Sequence, residues 1–219
     1  MKNLIARLFL ILAMTVITST ASATLLEDGS FETPALGGSS WQIFNDGAGA
    51  WEVLDGPGIE IQRNTIVPAQ DGMQYVELDS GGASNSNTRI GQSVFLTEGF
   101  YTLDFWYRAR TTDENDNGIY YGIEGAVPQS SQVDLAQDLS NYNDWVLYST
   151  LFEIESDDDY TVYFEAFGNY PSGDPNKSNT LGGFIDNVSL DHAPVPEPST
   201  MALFAVGILG LAGLGRRKK

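Results

Sequence analysis

The central part of the chain alternates apolar and polar residues with a period of two. The clearest example runs from Tyr101 to Tyr107, where every second residue is a large apolar or aromatic side chain. Such alternation is typical of a β-strand that buries one face. The segments 146–152 and 160–165 repeat it, and no stretch within residues 24–193 keeps an apolar stripe at helical spacing. We therefore expect this part of the chain to be built from strands.

Further segments have strand composition, and turn-forming residues separate them. The additional strand candidates are 41–44, 51–54, 59–63, 75–79, 90–96, 118–124 and 184–190. Gly, Pro, Asn and Asp cluster between them, as in the segments 55–58 and 116–118. About nine to eleven short strands in one domain predict an antiparallel β-sandwich, because two packed sheets let such a chain bury one face of each.

The N-terminal segment predicts export. Residues 1–23 contain an early positive charge, an apolar run over 8–17 and the small residues Ala21, Ser22 and Ala23. This order of features is the pattern of a secretory signal peptide. We therefore expect the β-sandwich domain to occupy residues 24–193 and to begin at Thr24 after cleavage.

The C-terminal segment, residues 194–219, predicts a membrane-crossing signal. A proline-rich linker precedes an uncharged stretch from Ser199 to Gly215, and four basic residues end the chain. The uncharged stretch is just long enough to cross a hydrocarbon core of about 30 Å. The basic end is expected to stay in the cytoplasm, which places residues 24–193 outside the inner membrane.

The same segment resembles a PEP-CTERM sorting signal. The residues that carry the resemblance are Pro196, Glu197 and Pro198 in the motif, and Arg216 and Arg217 in the basic end. The resemblance implies a Gram-negative bacterium, recognition by an exosortase-type membrane peptidase, and transient contact with the inner membrane. It also implies release or attachment at the cell surface or in an exopolysaccharide (biofilm) matrix. An ordinary C-terminal membrane anchor is the alternative.

The composition excludes several function classes. Residues 24–193 hold 28 of the 29 acidic residues and five of the eleven basic ones, a net charge of about −23 that argues against nucleic acid as a partner. The same charge attracts divalent cations. The chain has no cysteine, which excludes thiol catalysis and disulfides, and its single histidine, His192, excludes a serine–histidine triad and a multi-histidine zinc site.

Two short sequences at the ends of the domain resemble galactose-binding-like jelly rolls, a group that includes many carbohydrate-binding modules. They are Gly29-Ser30-Phe31-Glu32 and Ile185-Asp186-Asn187-Val188. The resemblance implies that the first and last strands pair and that Glu32 and Asp186 bind a structural calcium ion. Calcium prefers six to eight oxygen ligands, and such a site would tie together a domain without disulfides. The alternative is that Glu32 caps a turn and Asp186 accepts hydrogen bonds from a loop.

Exposed aromatic and polar residues suggest where a sugar would bind. Pyranose rings pack on flat aromatic side chains while their hydroxyls bind planar polar groups. The candidate surface is the polar face of the Tyr101 strand, with Tyr163 and Glu165 joining from another strand. The candidate ligand-binding residues are Trp106, Arg108, Arg110, Tyr163 and Glu165. Alternatively, Trp106 fills a second buried layer and the arginines pair with Glu165 or Asp104.

These features favour a non-catalytic, carbohydrate-associated protein of the cell surface or extracellular matrix. The first alternative is a glycoside hydrolase or lyase, which would need two carboxylates in a deep cleft, one with a raised pKa. The second alternative is a structural or adhesive spacer that crosslinks through calcium and binds no sugar.

Overall fold

The computed structural model describes residues 24–81, 87–112, 117–133, 144–166 and 181–193. The predicted signal peptide, sorting motif and C-terminal helix lie outside these residues. The described residues form eleven strands: β1 (Trp41–Phe44), β2 (Glu52–Asp55), β3 (Ile59–Gln62), β4 (Tyr75–Glu77), β5 (Arg89–Leu96), β6 (Gly99–Arg108), β7 (Ile119–Ile123), β8 (Ser130–Val133), β9 (Val146–Ile154), β10 (Asp158–Ala166) and β11 (Phe184–His192).

The strands form two sheets in which the neighbours pair antiparallel. The six-stranded sheet has the order β1-β3-β4-β11-β6-β9, and the five-stranded sheet has the order β2-β5-β10-β7-β8. The prediction of an all-β antiparallel sandwich is confirmed. No helix in the described ranges is long and apolar enough to cross a membrane.

The core lies between the two sheets and consists of the residues that the period-two pattern selects. Leu103, Phe105 and Tyr107 of β6 are completely buried, and Phe164 of β10 meets them from the other sheet. The ring of Phe105 lies 5.0 Å from that of Phe164, at the steep angle that aromatic pairs prefer. Burying one such side chain contributes about 1.5–3 kcal/mol, so the alternation itself is the main source of stability.

The N-terminal segment of the domain closes against the last strand. The Leu25 N–H donates to the Leu190 carbonyl at 2.8 Å, and the Val188 N–H donates to the Gly29 carbonyl at 2.9 Å. The contact at Gly29 is close, because a Cβ atom there would stand 1.9 Å from the Val188 oxygen. The two ends of the domain are therefore joined, as the resemblance implies, although residues 24–36 form no regular strand.

The outer face of the six-stranded sheet buries polar residues. Ile59 and Ile61 of β3 face the core, so Glu60 lies on the opposite face, and Glu77 and Asp186 do likewise on β4 and β11. All three side chains are at most 4% exposed. The connection between β3 and β4 packs over part of this face, since Trp145 donates from Nε1 to the Pro68 carbonyl at 2.9 Å.

Candidate functional site

A cavity of about 470 Å³ opens on the outer face of the six-stranded sheet. It is lined by residues of β1 and β3, of the connection after β3, and of the segments near Gly81, Arg110 and Leu181. The lining residues are Trp41, Glu60, Gln62, Thr65, Ile66, Gly81, Arg110 and Leu181. Trp41 is 51% exposed and Ile66 is 42% exposed, so an aromatic ring and an aliphatic side chain are open to solvent beside a polar floor.

The strand register places the polar side chains of this floor together. Trp41 on β1 is opposite Gln62 on β3, and Glu60 on β3 is opposite Glu77 on β4. Directly opposed residues on one face have Cβ atoms about 4.5–5.5 Å apart, within reach of hydrogen bonds between their side chains. The register alone therefore places an indole ring and an amide in one row, and two carboxylates in the neighbouring row of the same sheet face.

Hydrogen bonds join these groups into a network. The Gln62 amide donates from Nε2 to Glu60 Oε1 at 2.5 Å and to Glu77 Oε2 at 3.1 Å. Glu77 Oε1 accepts from Arg110 Nη1 and from the Gly182 N–H. Glu77 is thus held on both oxygens and completely buried, and it lies behind the wall of the cavity.

Burial raises the pKa of Glu77 to about 8. The loss of hydration outweighs the Arg110 guanidinium, which lowers the pKa by its charge and its hydrogen bond. The negative charge of Glu60 raises the pKa further, and the Gly182 N–H lowers it. A carboxylic acid that exchanges its proton near neutral pH therefore lies beneath the cavity.

Glu60 is the carboxylate at the cavity wall itself. It is 4% exposed, and its Oε2 accepts from the Gly81 N–H at 2.8 Å. The ion pairs of the described residues are Arg89–Glu124, Arg89–Glu165 and Arg110–Glu77. In that part of the chain Glu60 therefore has hydrogen-bond donors but no cation.

The predicted sugar-binding residues separate into two groups. Tyr101, Leu103, Phe105 and Tyr107 face the core, so Trp106 and Arg108 lie on the outer face of the six-stranded sheet. Neither of them lines the cavity. Arg110 follows β6 and does line it, but its partner is Glu77 and not Glu165 or Asp104.

The structure corrects the expectation that Tyr163 and Glu165 join Trp106 on one surface. Both residues lie on β10, which belongs to the five-stranded sheet, and they face outward because Val162 and Phe164 face the core. There Arg89 stacks 4.3 Å from the centre of the Tyr163 ring and lies 3.5 Å from Glu165. Alternation predicts the face of a strand but not its sheet, which explains the error.

Glu32 and Asp186 both receive hydrogen bonds from the connection between β3 and β4. Asp186 Oδ2 accepts from the Gln70 and Asp71 N–H groups at 2.8 and 3.0 Å. Glu32 Oε1 accepts from the Met73 and Gln74 N–H groups at 2.6 and 2.8 Å. The geometry agrees with the alternative in which both carboxylates hold a turn or loop.

This arrangement fits a calcium ion poorly. Backbone N–H donors point at the carboxylates, whereas calcium requires a shell of oxygens. The described residues contain no group of three or more His, Cys, Asp or Glu side chains that would hold a metal ion. Burial raises the pKa of Asp186 to about 7, and the N–H donors of Asp71, Asn187 and Gln70 oppose this rise. Calcium binding stays a prediction from the sequence.

Of the residues that line the cavity, the sequence predicts a binding role only for Arg110. Trp41, Glu60 and Gln62 lie in the strand candidates 41–44 and 59–63 and receive no binding role there. The signal in the sequence is the segment Ile59-Glu60-Ile61-Gln62, whose polar positions look like a solvated face. Gly81, Arg110 and Leu181 line the same cavity, but they are distant in sequence and reach this face only in the folded chain.

The protein is thus an all-β, two-sheet domain with a polar, aromatic-rimmed cavity, and its tail identifies its destination. Residues 194–219 match the PEP-CTERM protein-sorting motif, which confirms the predicted resemblance. Such a motif implies export and processing by an exosortase, a membrane protein. A comparison with curated proteins found no match.

Among solved structures, the chain is similar to carbohydrate-binding modules. TmCBM61 in complex with beta-1,4-galactotriose is 19% identical, with 78% of this chain and 100% of that chain covered and a TM-score of 0.41. The CBM22-2 xylan-binding domain from Paenibacillus barcinonensis Xyn10C is 12% identical, with 70% and 98% covered and a TM-score of 0.39.

An enzyme also appears among the similar structures. The arabinose-bound α-L-arabinofuranosidase MgGH51 is 12% identical, with 77% of this chain covered and a TM-score of 0.47. This chain spans 26% of the length of that enzyme.

Proposed function

We propose that the protein is an exported, non-catalytic, carbohydrate-associated protein that binds glycan in the outer-face cavity. The observation that carries this proposal is the half-exposed ring of Trp41 beside the polar groups of Glu60, Gln62 and Arg110. A sugar presents C–H bonds to an aromatic ring and hydroxyls to planar polar groups, and the cavity offers both. Its volume lies in the range of about 300–1,000 Å³ that is usual for small-ligand sites.

The destination follows from the sorting motif. We propose that residues 24–193 cross the inner membrane of a Gram-negative bacterium and reach the cell surface or an exopolysaccharide matrix after exosortase processing. The net charge of about −23 in this segment suits a protein that stays soluble outside the cell. The pairing of the N-terminal segment with β11 supports, as part of the same proposal, a galactose-binding-like jelly roll.

A binding experiment tests the function. We expect Trp41→Ala to weaken retention of the purified protein on the polysaccharides it binds by at least about tenfold, because the ring supplies the stacking surface. Phe95→Ala is the matched control, since Phe95 is 61% exposed but lies on the outer face of the five-stranded sheet. Absence of retention on a broad polysaccharide panel, or equal losses in both variants, would contradict the proposal.

One observation favours a second candidate, a carboxylate-based glycoside hydrolase. Glu60 and Glu77 are opposed, both accept from Gln62, and the pKa of Glu77 is raised to about 8. Such a pair has the form of a general acid and its partner. Against this, Glu77 is fully buried behind the cavity wall and hydrogen-bonded on both oxygens.

An activity assay separates the two candidates. The non-catalytic function predicts that the protein releases no reducing ends from any polysaccharide that it retains. Release that disappears in Glu60→Gln would establish the hydrolase. A lyase would instead produce unsaturated ends, which absorb in the ultraviolet.

A further inference from the structure

The cavity contains a buried charge whose counter-ion is absent from the described protein residues. Glu60 is 4% exposed, and both of its carboxylate oxygens accept from neutral donors, Oε1 from Gln62 and Oε2 from Gly81. Buried charges in proteins are normally paired or bound to a metal, because loss of hydration is costly. Glu60 departs from this rule at the wall of an open cavity.

The other charged side chain that lines the cavity, Arg110, is paired elsewhere. The Arg110 guanidinium contacts Glu77 and not Glu60, so it is not the direct partner of the Glu60 carboxylate. Among the described residues, Glu60 is therefore a carboxylate of the cavity wall that no cation contacts. A ligand that brings a positive charge would supply the missing partner, whereas a ligand with a carboxylate would meet repulsion.

Gln62 provides an independent observation. Its side chain is 3% exposed, and its amide nitrogen is committed to Glu60 and Glu77. Its Oε1 atom is buried and has no hydrogen-bond partner. Unsatisfied buried acceptors are rare and costly, so a cavity residue in this state indicates that a donor is missing.

The lining of the cavity suits an organic cation better than a metal ion. A calcium ion would need six to eight oxygens, whereas the lining side chains supply one carboxylate, one amide oxygen and the Thr65 hydroxyl. An ammonium group needs only a few acceptors and donates to each of them. Trp41 at the rim adds a ring that attracts cations as well as sugar C–H groups.

We propose that the cavity recognises an amino sugar with a free, protonated amine, which donates to Glu60 and Gln62 while its ring packs on Trp41. This inference rests on the proposed glycan-binding function and specifies its ligand class. The acidic domain as a whole favours such a glycan over polyuronates.

Calorimetry with matched oligosaccharides tests the inference. The probes are glucosamine oligomers and N-acetylglucosamine oligomers of equal length, a neutral glucan oligomer and an oligouronate. At about pH 6, below the pKa of ordinary amines, we expect the free-amine oligomer to bind at least tenfold more tightly than the others. Glu60→Gln removes the charge and keeps the shape, and we expect it to abolish that preference.

The control distinguishes the site from the general acidity of the surface. Glu124→Gln makes the same change in net charge, but Glu124 lies in the connection after β7 and pairs with Arg89 of the five-stranded sheet. We expect it to preserve the preference. Equal losses in Glu60→Gln and Glu124→Gln would overturn the inference, because the acidic surface as a whole would then explain the binding.

Failure of the inference and failure of the function give different results. Equal binding of neutral and free-amine oligomers, unaffected by Glu60→Gln, would overturn the amino-sugar preference and leave glycan binding intact. Binding of none of the probes, together with no retention on polysaccharides, would remove both. If Glu60→Gln fails to fold, Gln62→Met removes the second acceptor at similar volume, and unchanged affinity for the free amine would then count against the inference.

Discussion

Glu60 and Glu77 face each other across strands β3 and β4 and share one donor, the Nε2 atom of Gln62. A single amide thus separates two buried carboxylates on a sheet face that has few basic side chains. Like charges directly opposed on a sheet destabilise it, so the amide and the Arg110 guanidinium are what make this row of residues tolerable.

Replacement of that amide is expected to be costly. We predict that Gln62→Leu lowers the free energy of unfolding by about 2 kcal/mol or more, because two buried carboxylates lose a donor. Gln42→Leu on β1 makes the same chemical change at an exposed position and should stay within about 0.5 kcal/mol of the parent. Urea unfolding measures both, and equal values would contradict a structural role for the Gln62 amide.

Stability is expected to rise as the pH falls from about 8 to about 4. Burial raises the pKa of Asp186 from 3.8 to about 7 and that of Glu77 from 4.5 to about 8. Between the ordinary and the raised values the folded chain keeps protons that the unfolded chain has released. Unfolding therefore releases protons, and its free energy decreases as the pH increases through this window, by up to about 1.4 kcal/mol per pH unit for each group.

Melting curves between pH 5 and 8 check this sign. Glu77→Gln should make the upper part of the profile shallower, because the group responsible no longer titrates. Asp157→Asn, an exposed change in the turn before β10, should leave the slope unaltered. A melting temperature that rises toward pH 8 in the parent would show that the two buried acids do not control the profile.

The calcium prediction can be tested directly. Because backbone N–H groups occupy the accepting oxygens of Glu32 and Asp186, we expect a chelator to leave the melting temperature of the protein unchanged. Stabilisation that increases with calcium concentration and is lost in Glu32→Gln would support the metal site instead. Calcium-dependent aggregation without glycan binding would indicate the adhesive spacer.

One of the contacts that join the two ends of the domain, between Gly29 and Val188, is especially close. We predict that Gly29→Ala destabilises the protein by about 2 kcal/mol or more, since its Cβ would meet the Val188 carbonyl at 1.9 Å. Gly37→Ala is the matched control, because a Cβ there has no atom within 4 Å. Thermal unfolding compares the two variants, and a neutral Gly29→Ala would mean that the N-terminal segment is not held in this position.

The fold could be predicted from the sequence because the alternation of apolar and polar residues that produces it is a local pattern. Alternation at Tyr101, Phe105 and Val162 follows directly from burial of one strand face, and those residues form the core. The order of strands in a sheet depends on pairings between distant residues. For this reason Tyr163 was placed with Trp106, although β6 and β10 belong to different sheets.

The residues of the candidate site could be predicted from the sequence only in part. Arg110 is predicted because alternation places it on the polar face of the Tyr101 strand with Trp106 and Arg108, and it does line the cavity. Glu60 and Gln62 were not identified, because an alternating Ile-Glu-Ile-Gln segment gives no sign that its polar side will be covered. Gly81 and Leu181, which follow Glu60 by 21 and 121 positions, line the same cavity only in the folded chain.

The last strand, β11, has the cavity at one end and the route to the sorting motif at the other. Leu181 precedes the strand and lines the cavity, whereas His192 ends it and the motif begins at residue 194. Nine residues of extended chain measure about 30 Å. A tether that continues from the end of β11 would therefore leave the domain at the end of this strand opposite Leu181, and its attachment point would stay clear of the cavity.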